Sequence, residues 1–214
     1  FYNPYLENFK RAKIYFGTDG IRGVVDSELT EDLAYSTGNA LCQLKENPKV
    51  IIGRDTRPSG EKISKAIIQG LINGGAEVFN VGIVPTSAIS YLTKKLGLDY
   101  GIVITASHNP KEYNGIKVFG NSGVKITDAE EIKIESKLKS EISSPGGKVL
   151  NLSAEVKAYE EFLKNSIKTN LNGLKILLDC ANGASSKIAP KIFKMLGADV
   201  KAINVKGEIN NNCG

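Results

Sequence analysis

The chain has 214 residues, 41% of them hydrophobic and 24% charged, a globular composition that excludes a disordered, collagenous or disulfide-stapled protein. Its 28 Lys and Arg outnumber 23 Asp and Glu for a net charge of +5, and the basic residues are scattered. That suits anionic metabolites and leaves no basic stripe or aromatic platform for nucleic acid. No apolar run nears the roughly 20 residues that cross a bilayer, and no signal-peptide pattern opens the chain. The three cysteines, Cys42, Cys180 and Cys213, lack a CxxC spacing. These features predict a cytoplasmic α/β protein with reduced thiols and no membrane partner, and the length suits one whole domain plus part of another.

The first distinctive segment is Phe16-Gly17-Thr18-Asp19-Gly20-Ile21-Arg22-Gly23. Its backbone N–H groups and guanidinium could grip an oxyanion, although Asp-Gly within it reads equally as a tight hairpin turn. Residues 49–52 (KVII) predict a buried strand, followed by Gly53-Arg54-Asp55-Thr56-Arg57-Pro58-Ser59-Gly60 ahead of a helix. Phosphates bind at such corners, but the order matches neither a P-loop nor a dinucleotide fingerprint. Arg54 with Asp55 reads most simply as a loop brace. Ile63, Ala66, Ile67, Gly70 and Leu71 predict the helix, Glu77 to Val81 the next strand, and Ile89, Leu92 and Leu96 a second helix.

A strand from Tyr100 to Thr105 runs into Thr105-Ala106-Ser107-His108-Asn109-Pro110. In parallel sheets the loop beyond a strand's carboxyl end is where ligands bind. Asn-Pro forces a bend there, which would hold the Ser107 hydroxyl out of any ladder. His108, the only histidine, stands beside it, and Asn114-Gly115-Ile116-Lys117 brings a cation close behind. Hydroxyl, imidazole and ammonium suit covalent phosphoryl or acyl chemistry; adjacent Ser and His seldom point at each other, so a capped turn is the plainer reading from residue types alone.

Residues 114–126 predict a β-hairpin, and Thr127 with Glu130 a capping box opening the next helix. Ser143-Ser144-Pro145-Gly146-Gly147 is the best candidate linker. Beyond it come a helix carrying Val156, Tyr159, Phe162, Leu163 and Ile167, and a strand from Lys175 to Leu178. The turn Asp179-Cys180-Ala181-Asn182-Gly183-Ala184, a helix to Met195 and a strand from Ala198 to Ile203 complete the pattern. Strands alternating with helices predict right-handed crossovers and a mostly parallel sheet. Ser64-Lys65 … Gly75-Ala76 recurs as Ser186-Lys187 … Gly197-Ala198 with the same internal spacing. Two related domains would produce that echo; so would any helix–Gly–strand unit.

Taken in order, FGTDGIRG, GRDTRPSG, TASHNP … NGIK and LDCANGA … NNNCG resemble the α-D-phosphohexomutase superfamily from Tyr15 to Gly214. The serine loop is the most specific element, and the form of the first motif tilts toward members acting on glucosamine phosphates. The first fourteen residues have no place in the pattern; Phe1, Tyr2, Tyr5 and Phe9 there could pack on a neighbour.

The resemblance implies four domains around a cleft. Its first domain would be an α/β fold, a mixed, mostly parallel sheet sandwiched by helices, over residues 1–147. Residues 148–214 would be the amino-terminal part of a second, similar α/β domain. Ser107 would carry a phosphoryl group, with His108 and Lys117 in proton transfer or charge stabilisation. Arg22 would bind phosphate, and Thr18 and Asn109 would join Arg22 and Lys117 as contacts to a hexosamine phosphate. Glucosamine 6-phosphate would become the 1-phosphate through a bisphosphate, in amino-sugar metabolism that supplies cell-wall precursors. Mg2+ would sit on an oxygen of the Ser107 phosphate and on three aspartates of an Asp-x-Asp-x-Asp-Arg run absent from this sequence. Turnover is therefore not expected from these residues alone, and a homodimer is compatible with the resemblance. A phosphomannomutase or phosphoglucomutase, or a non-catalytic phosphosugar-binding fragment, stays open.

Overall fold

The computed structural model describes residues 13–214; Phe1, Tyr2, Tyr5 and Phe9 lie outside the described residues. Strands β1 (Phe16–Gly17) and β2 (Gly20–Val24) form a tight hairpin with Thr18 and Asp19 at its tip. Gly20 has φ +84°, and a Cβ there would lie 2.3 Å from the Ile116 carbonyl oxygen, so both conformation and space demand glycine. The hairpin reading of this motif therefore holds, without removing its charged groups from the site described below.

Helix α1 (Glu31–Leu44) is not among the elements that periodicity predicts. Thr30 caps it, accepting from the Leu33 N–H, and Glu31 and Asp32 complement the helix dipole. Its buried face includes Thr37, Gly38 and Asn39, small or polar residues that blur an apolar stripe. Those residues let α1 press its backbone onto α2 (Gly60–Asn73): a Cβ on Gly38 would lie 2.4 Å from the Ile67 carbonyl oxygen, and one on Gly70 2.1 Å from that of Tyr35. Gly70→Ala should therefore destabilise the fold by about 1–3 kcal/mol through overpacking, although alanine favours an exposed helix. A urea titration checks this; a raised midpoint would contradict the backbone contact.

The succession continues with β3 (Lys49–Arg54), β4 (Glu77–Ile83), α3 (Thr86–Lys95), β5 (Tyr100–Ile104), β6 (Tyr113–Gly120), α4 (Asp128–Lys137) and β7 (Lys148–Asn151). It closes with a 3-10 turn at Ser153–Glu155, α5 (Val156–Ser166), β8 (Lys175–Asp179), α6 (Ile188–Met195) and β9 (Asp199–Ile203). Seven strands form one sheet in the order β1-β2-β6-β5-β3-β4-β7, and β8 and β9 form a second. Pairings β3/β4, β3/β5, β4/β7 and β8/β9 are parallel; β1/β2, β2/β6 and β5/β6 are antiparallel. The mixed, mostly parallel α/β fold expected from the resemblance is thus observed.

Two apolar clusters cover the faces of the large sheet. Leu41, Ile63, Ile67, Leu71 and Ile134 of α1, α2 and α4 pack on Val50, Ile52, Ile102, Ile104 and Ile116. On the other face Ile89 and Leu92 of α3 meet Ile51, Val81, Val103 and Phe119, and Tyr159, Ile188 and Ile192 of the β8–β9 unit extend that cluster. Among the described residues no helix is long and apolar enough to cross a membrane.

Three local expectations change form. The 114–126 hairpin exists as a turn, with the Gly120 N–H on the Val124 carbonyl at 2.9 Å and Ile126 on Val118 at 3.1 Å, but β6 pairs mainly with β5 and β2. The Ser143–Gly147 segment is seated on the end of α2: the Ser144 N–H reaches the Asn73 carbonyl at 2.9 Å. A Cβ on Gly147 would collide with the Ile72 carbonyl. The internal echo reflects a shared helix ending. Gly75 (φ +93°) and Gly197 (φ +97°) both let the next N–H return to the helix, Ala76 to Leu71 and Ala198 to Phe193. Gly97 (φ +63°) after α3 does the same through Leu98 and Thr93, so that motif alone does not mark a duplication. The capping box at Thr127 and Glu130 is present as predicted.

Candidate active site at the carboxyl end of β5

Strand β5 ends at Ile104, yet Thr105 remains tied to the sheet through its N–H on the Gly115 carbonyl at 2.9 Å. The Thr105 hydroxyl donates to Asp55 Oδ2 at 2.7 Å and accepts the Ser107 N–H at 3.0 Å. Ser107 follows in the left-handed region, φ +57°, where a side chain other than glycine is uncommon and strained. Its side chain and that of His108 are exposed, with Oγ 3.5 Å from His108 Nδ1, the outer limit of a hydrogen bond. The bend thus presents the hydroxyl to solvent beside the imidazole. Asn109 closes the turn by donating its N–H to the Ala106 carbonyl at 3.1 Å, and its residue is half-buried.

The brace behind this loop is Arg57, whose side chain is fully buried (0% exposed). Its Nε donates to Asp55 Oδ2 at 3.1 Å. Nη1 donates to the carbonyls of Pro110 and Tyr113 (2.9 Å to the latter), and Nη2 to those of Ser107 at 3.0 Å and Asn109 at 2.7 Å. The Arg57 N–H also reaches Asp55 Oδ1 at 3.0 Å. All five guanidinium N–H groups are used, and they span the loop from Ser107 to Tyr113. The bracing role expected of Arg54 therefore belongs to Arg57; Arg54 reaches only the Asp55 carbonyl, at 3.2 Å. Asn114, buried, donates to Ser59 Oγ at 3.0 Å and accepts the Gly115 N–H at 2.8 Å, fixing the start of β6.

Arg22 and Lys117 stand on β2 and β6; β6 is the neighbour of β5, and β2 lies one strand further out. The register pairs Arg22 with Gly115 and Val103 with Lys117, so the two cations share the sheet face that carries Val103. Asp19 joins them: its carboxylate lies 2.6 Å from Lys117 Nζ and also pairs with Arg22 Nη2. Partial burial pushes the Asp19 carboxyl upward, but the hydrogen bonds and charges of Lys117 and Arg22 outweigh it and hold the group below the ordinary carboxylate value. Among the described residues, Arg22 Nε is buried without a hydrogen-bond partner. Thr18 is exposed at the hairpin tip.

Ser107 with His108 and Arg22 with Lys117 are therefore two groups, one in the loop beyond β5 and the other on β6 and the strand outside it. Among the described residues, no hydrogen bond or ion pair joins the groups directly. An oxyanion esterified to Ser107 would find an imidazole beside it and cations on β6 and β2, the arrangement that stabilises charge spread over phosphoryl oxygens.

The β8–β9 unit also reaches this loop. Asn210 Nδ2 donates to the carbonyls of Ser107 at 3.0 Å and Asn109 at 3.3 Å, and Thr56 Oγ1 donates to the Asn182 carbonyl at 2.6 Å. Asn182 thus does more than turn duty: its Nδ2 also holds the Glu208 carbonyl at 3.0 Å. Arg57, Asp55, Asp19 and Asn210 were not assigned to the site by sequence. An aspartate two residues before an arginine, directly after a buried strand, is the one local signal that could have pointed to the brace. Among the described residues no cluster of three or more His, Cys, Asp or Glu side chains could hold a metal. The magnesium set implied by the resemblance is thus not gathered among these residues.

The sequence pattern described as "Phosphoglucomutase/phosphomannomutase, alpha/beta/alpha domain I" matches residues 13–144. Phosphoglucosamine mutase of Clostridioides difficile (strain 630) is 47% identical, across 94% of this chain and 48% of its own length. Phosphoglucosamine mutase of Clostridium kluyveri is likewise 47% identical, across 93% and 48%. The chain spans about half the length of the curated relatives it matches. Among solved structures, a putative phosphomannomutase from Thermus thermophilus superposes with a TM-score of 0.80 at 28% identity, over 90% of this chain and 46% of that one. A phosphoglucomutase/phosphomannomutase family protein from Burkholderia thailandensis superposes at 0.79 with 27% identity, over 92% and 45%.

Proposed function

This chain belongs to the phosphoglucomutase/phosphomannomutase family, and from that premise we propose that the protein containing it interconverts glucosamine 6-phosphate and glucosamine 1-phosphate. Ser107 carries the phosphoryl group. It gives that group to one hydroxyl of the sugar phosphate, making a bisphosphate, and recovers the other phosphate after the intermediate reorients. One observation carries the reading: a solvent-facing serine hydroxyl, held at a left-handed bend beyond a parallel strand, beside His108 and with Arg22 and Lys117 on β2 and β6. The 47% identity to phosphoglucosamine mutases supports the choice of sugar.

In this mechanism His108 and Lys117 exchange protons with the hydroxyls that gain and lose phosphate. Arg22 binds phosphate through its guanidinium, which here is paired with Asp19. Thr18 and Asn109 contact the sugar phosphate from the hairpin tip and the serine loop. Magnesium on the serine phosphate would need carboxylates from outside the set described here. Residues 1–147 act as the phosphoserine domain and 148–214 begin the second, in a cytoplasmic enzyme for which a homodimer is compatible.

Intact mass of the whole protein before and after phosphatase treatment, with peptide mapping, should reveal one phosphoryl group on Ser107. Coupled assays with the 6-phosphates of glucosamine, glucose and mannose should favour glucosamine. A higher kcat/KM for glucose or mannose would move the assignment to the phosphoglucomutase or phosphomannomutase branch, and no turnover of any of the three would refute it.

A further inference from the structure

Ser107 is pinned on both sides. The peptide before it is held by its own N–H on Thr105 Oγ1, at 3.0 Å. The peptide after it is held through the Ser107 carbonyl, which accepts from Arg57 Nη2 and Asn210 Nδ2, both at 3.0 Å. The Asn109 carbonyl is shared by the same two donors. Fixing both peptide planes fixes the Cα–Cβ direction, and so confines the hydroxyl to the staggered rotamers about that one bond. Arg57 is buried in the loop between β3 and α2, but Asn210 arrives from the β8–β9 unit, where its own N–H is anchored on the Ala181 carbonyl at 3.1 Å.

Unfavourable backbone is gathered at this junction. Among the described residues, six of the eight non-glycine residues with positive φ are Ser107, Ala181, Asn182, Asn204, Asn210 and Asn212, in the serine loop and in the segments that follow β8 and β9. Such conformations persist only where surrounding contacts over-determine them.

We propose that Asn210 is a positioning residue for Ser107: its amide, delivered by the second α/β unit, locks the serine's left-handed main chain and so helps aim the reactive hydroxyl. The inference rests on the phosphoserine reading above. It assigns to Asn210 no contact with the sugar.

The test uses the whole enzyme with Asn210→Ala, Asn210→Asp and, as a docking control, Thr56→Val, which removes the cross-unit bond to Asn182 without touching the loop carbonyls. Two rates are read: sugar-phosphate interconversion, and phosphorylation of Ser107 by a hexose bisphosphate. Asn210→Ala should lower kcat and the phosphorylation rate on the order of tenfold, one hydrogen bond's share, with KM nearly unchanged. Asn210→Asp should lose at least as much, because a carboxylate has no N–H to offer and would face two carbonyl oxygens. Thr56→Val should keep both rates within about twofold of the parent enzyme. Parental kcat in both Asn210 variants, or an equal loss in Thr56→Val, would overturn the proposal while leaving the phosphoserine reading intact. A parent enzyme that neither takes up phosphate at Ser107 nor turns over sugar phosphates would overturn that reading itself.

Discussion

Ser107→Ala in the whole enzyme should lower mutase turnover by at least ~10³-fold, because the loop's other hydroxyl, that of Thr105, is buried and turned inward onto Asp55. The left-handed main chain at Ser107 supplies a built-in control. Alanine keeps the strain of φ +57°, whereas glycine relieves it, so Ser107→Gly should be equally inactive yet more stable than Ser107→Ala by about 0.5–1 kcal/mol. Paired activity and thermal-unfolding measurements separate the chemical role from the conformational one. Substantial turnover in Ser107→Ala would remove the phosphoserine from the mechanism.

The second large effect is expected at Arg57. Its guanidinium is fully buried and Asp55 nearly so, at 4% exposure. Arg57→Ala would leave a buried carboxylate without its cation and loop carbonyls without donors, a loss of about 3–5 kcal/mol. Lysine keeps the charge but offers three donors in place of five and cannot reach four carbonyls at once, so Arg57→Lys should fall between. The double variant Asp55→Ala/Arg57→Ala should cost less than the two single losses added, since no uncompensated charge remains. Urea denaturation measures all four proteins. A single Arg57→Ala whose midpoint matches the parent would show that the brace carries no stability.

The β3–α2–β4–α3–β5 succession was legible because its strands are short β-branched runs and its helices show apolar residues at three- and four-residue spacing. Helix α1 was not, because part of the face it buries consists of Thr37, Gly38 and Asn39, chosen for close approach and not for apolar area. Strand β7, exposed along its four residues, carries no alternation that periodicity could detect. At the site, motif order pointed to the serine loop and the cations. Which charge meets which could not be read, because Asp19 finds Lys117 only through the β2/β6 register. Arg54 and Arg57 look alike in sequence; only the fold buries one and leaves the other at the rim.

The Lys117–Asp19–Arg22 cluster bears on how a dianion would enter. Two cations that already share a resident carboxylate present less attraction than two bare ones, so an arriving phosphate takes part in an exchange and does not fill an empty positive socket. Affinity for inorganic phosphate should accordingly weaken less steeply with added salt than the formal charge of a lysine and an arginine implies. The same competition would ease the departure of a bound phosphate.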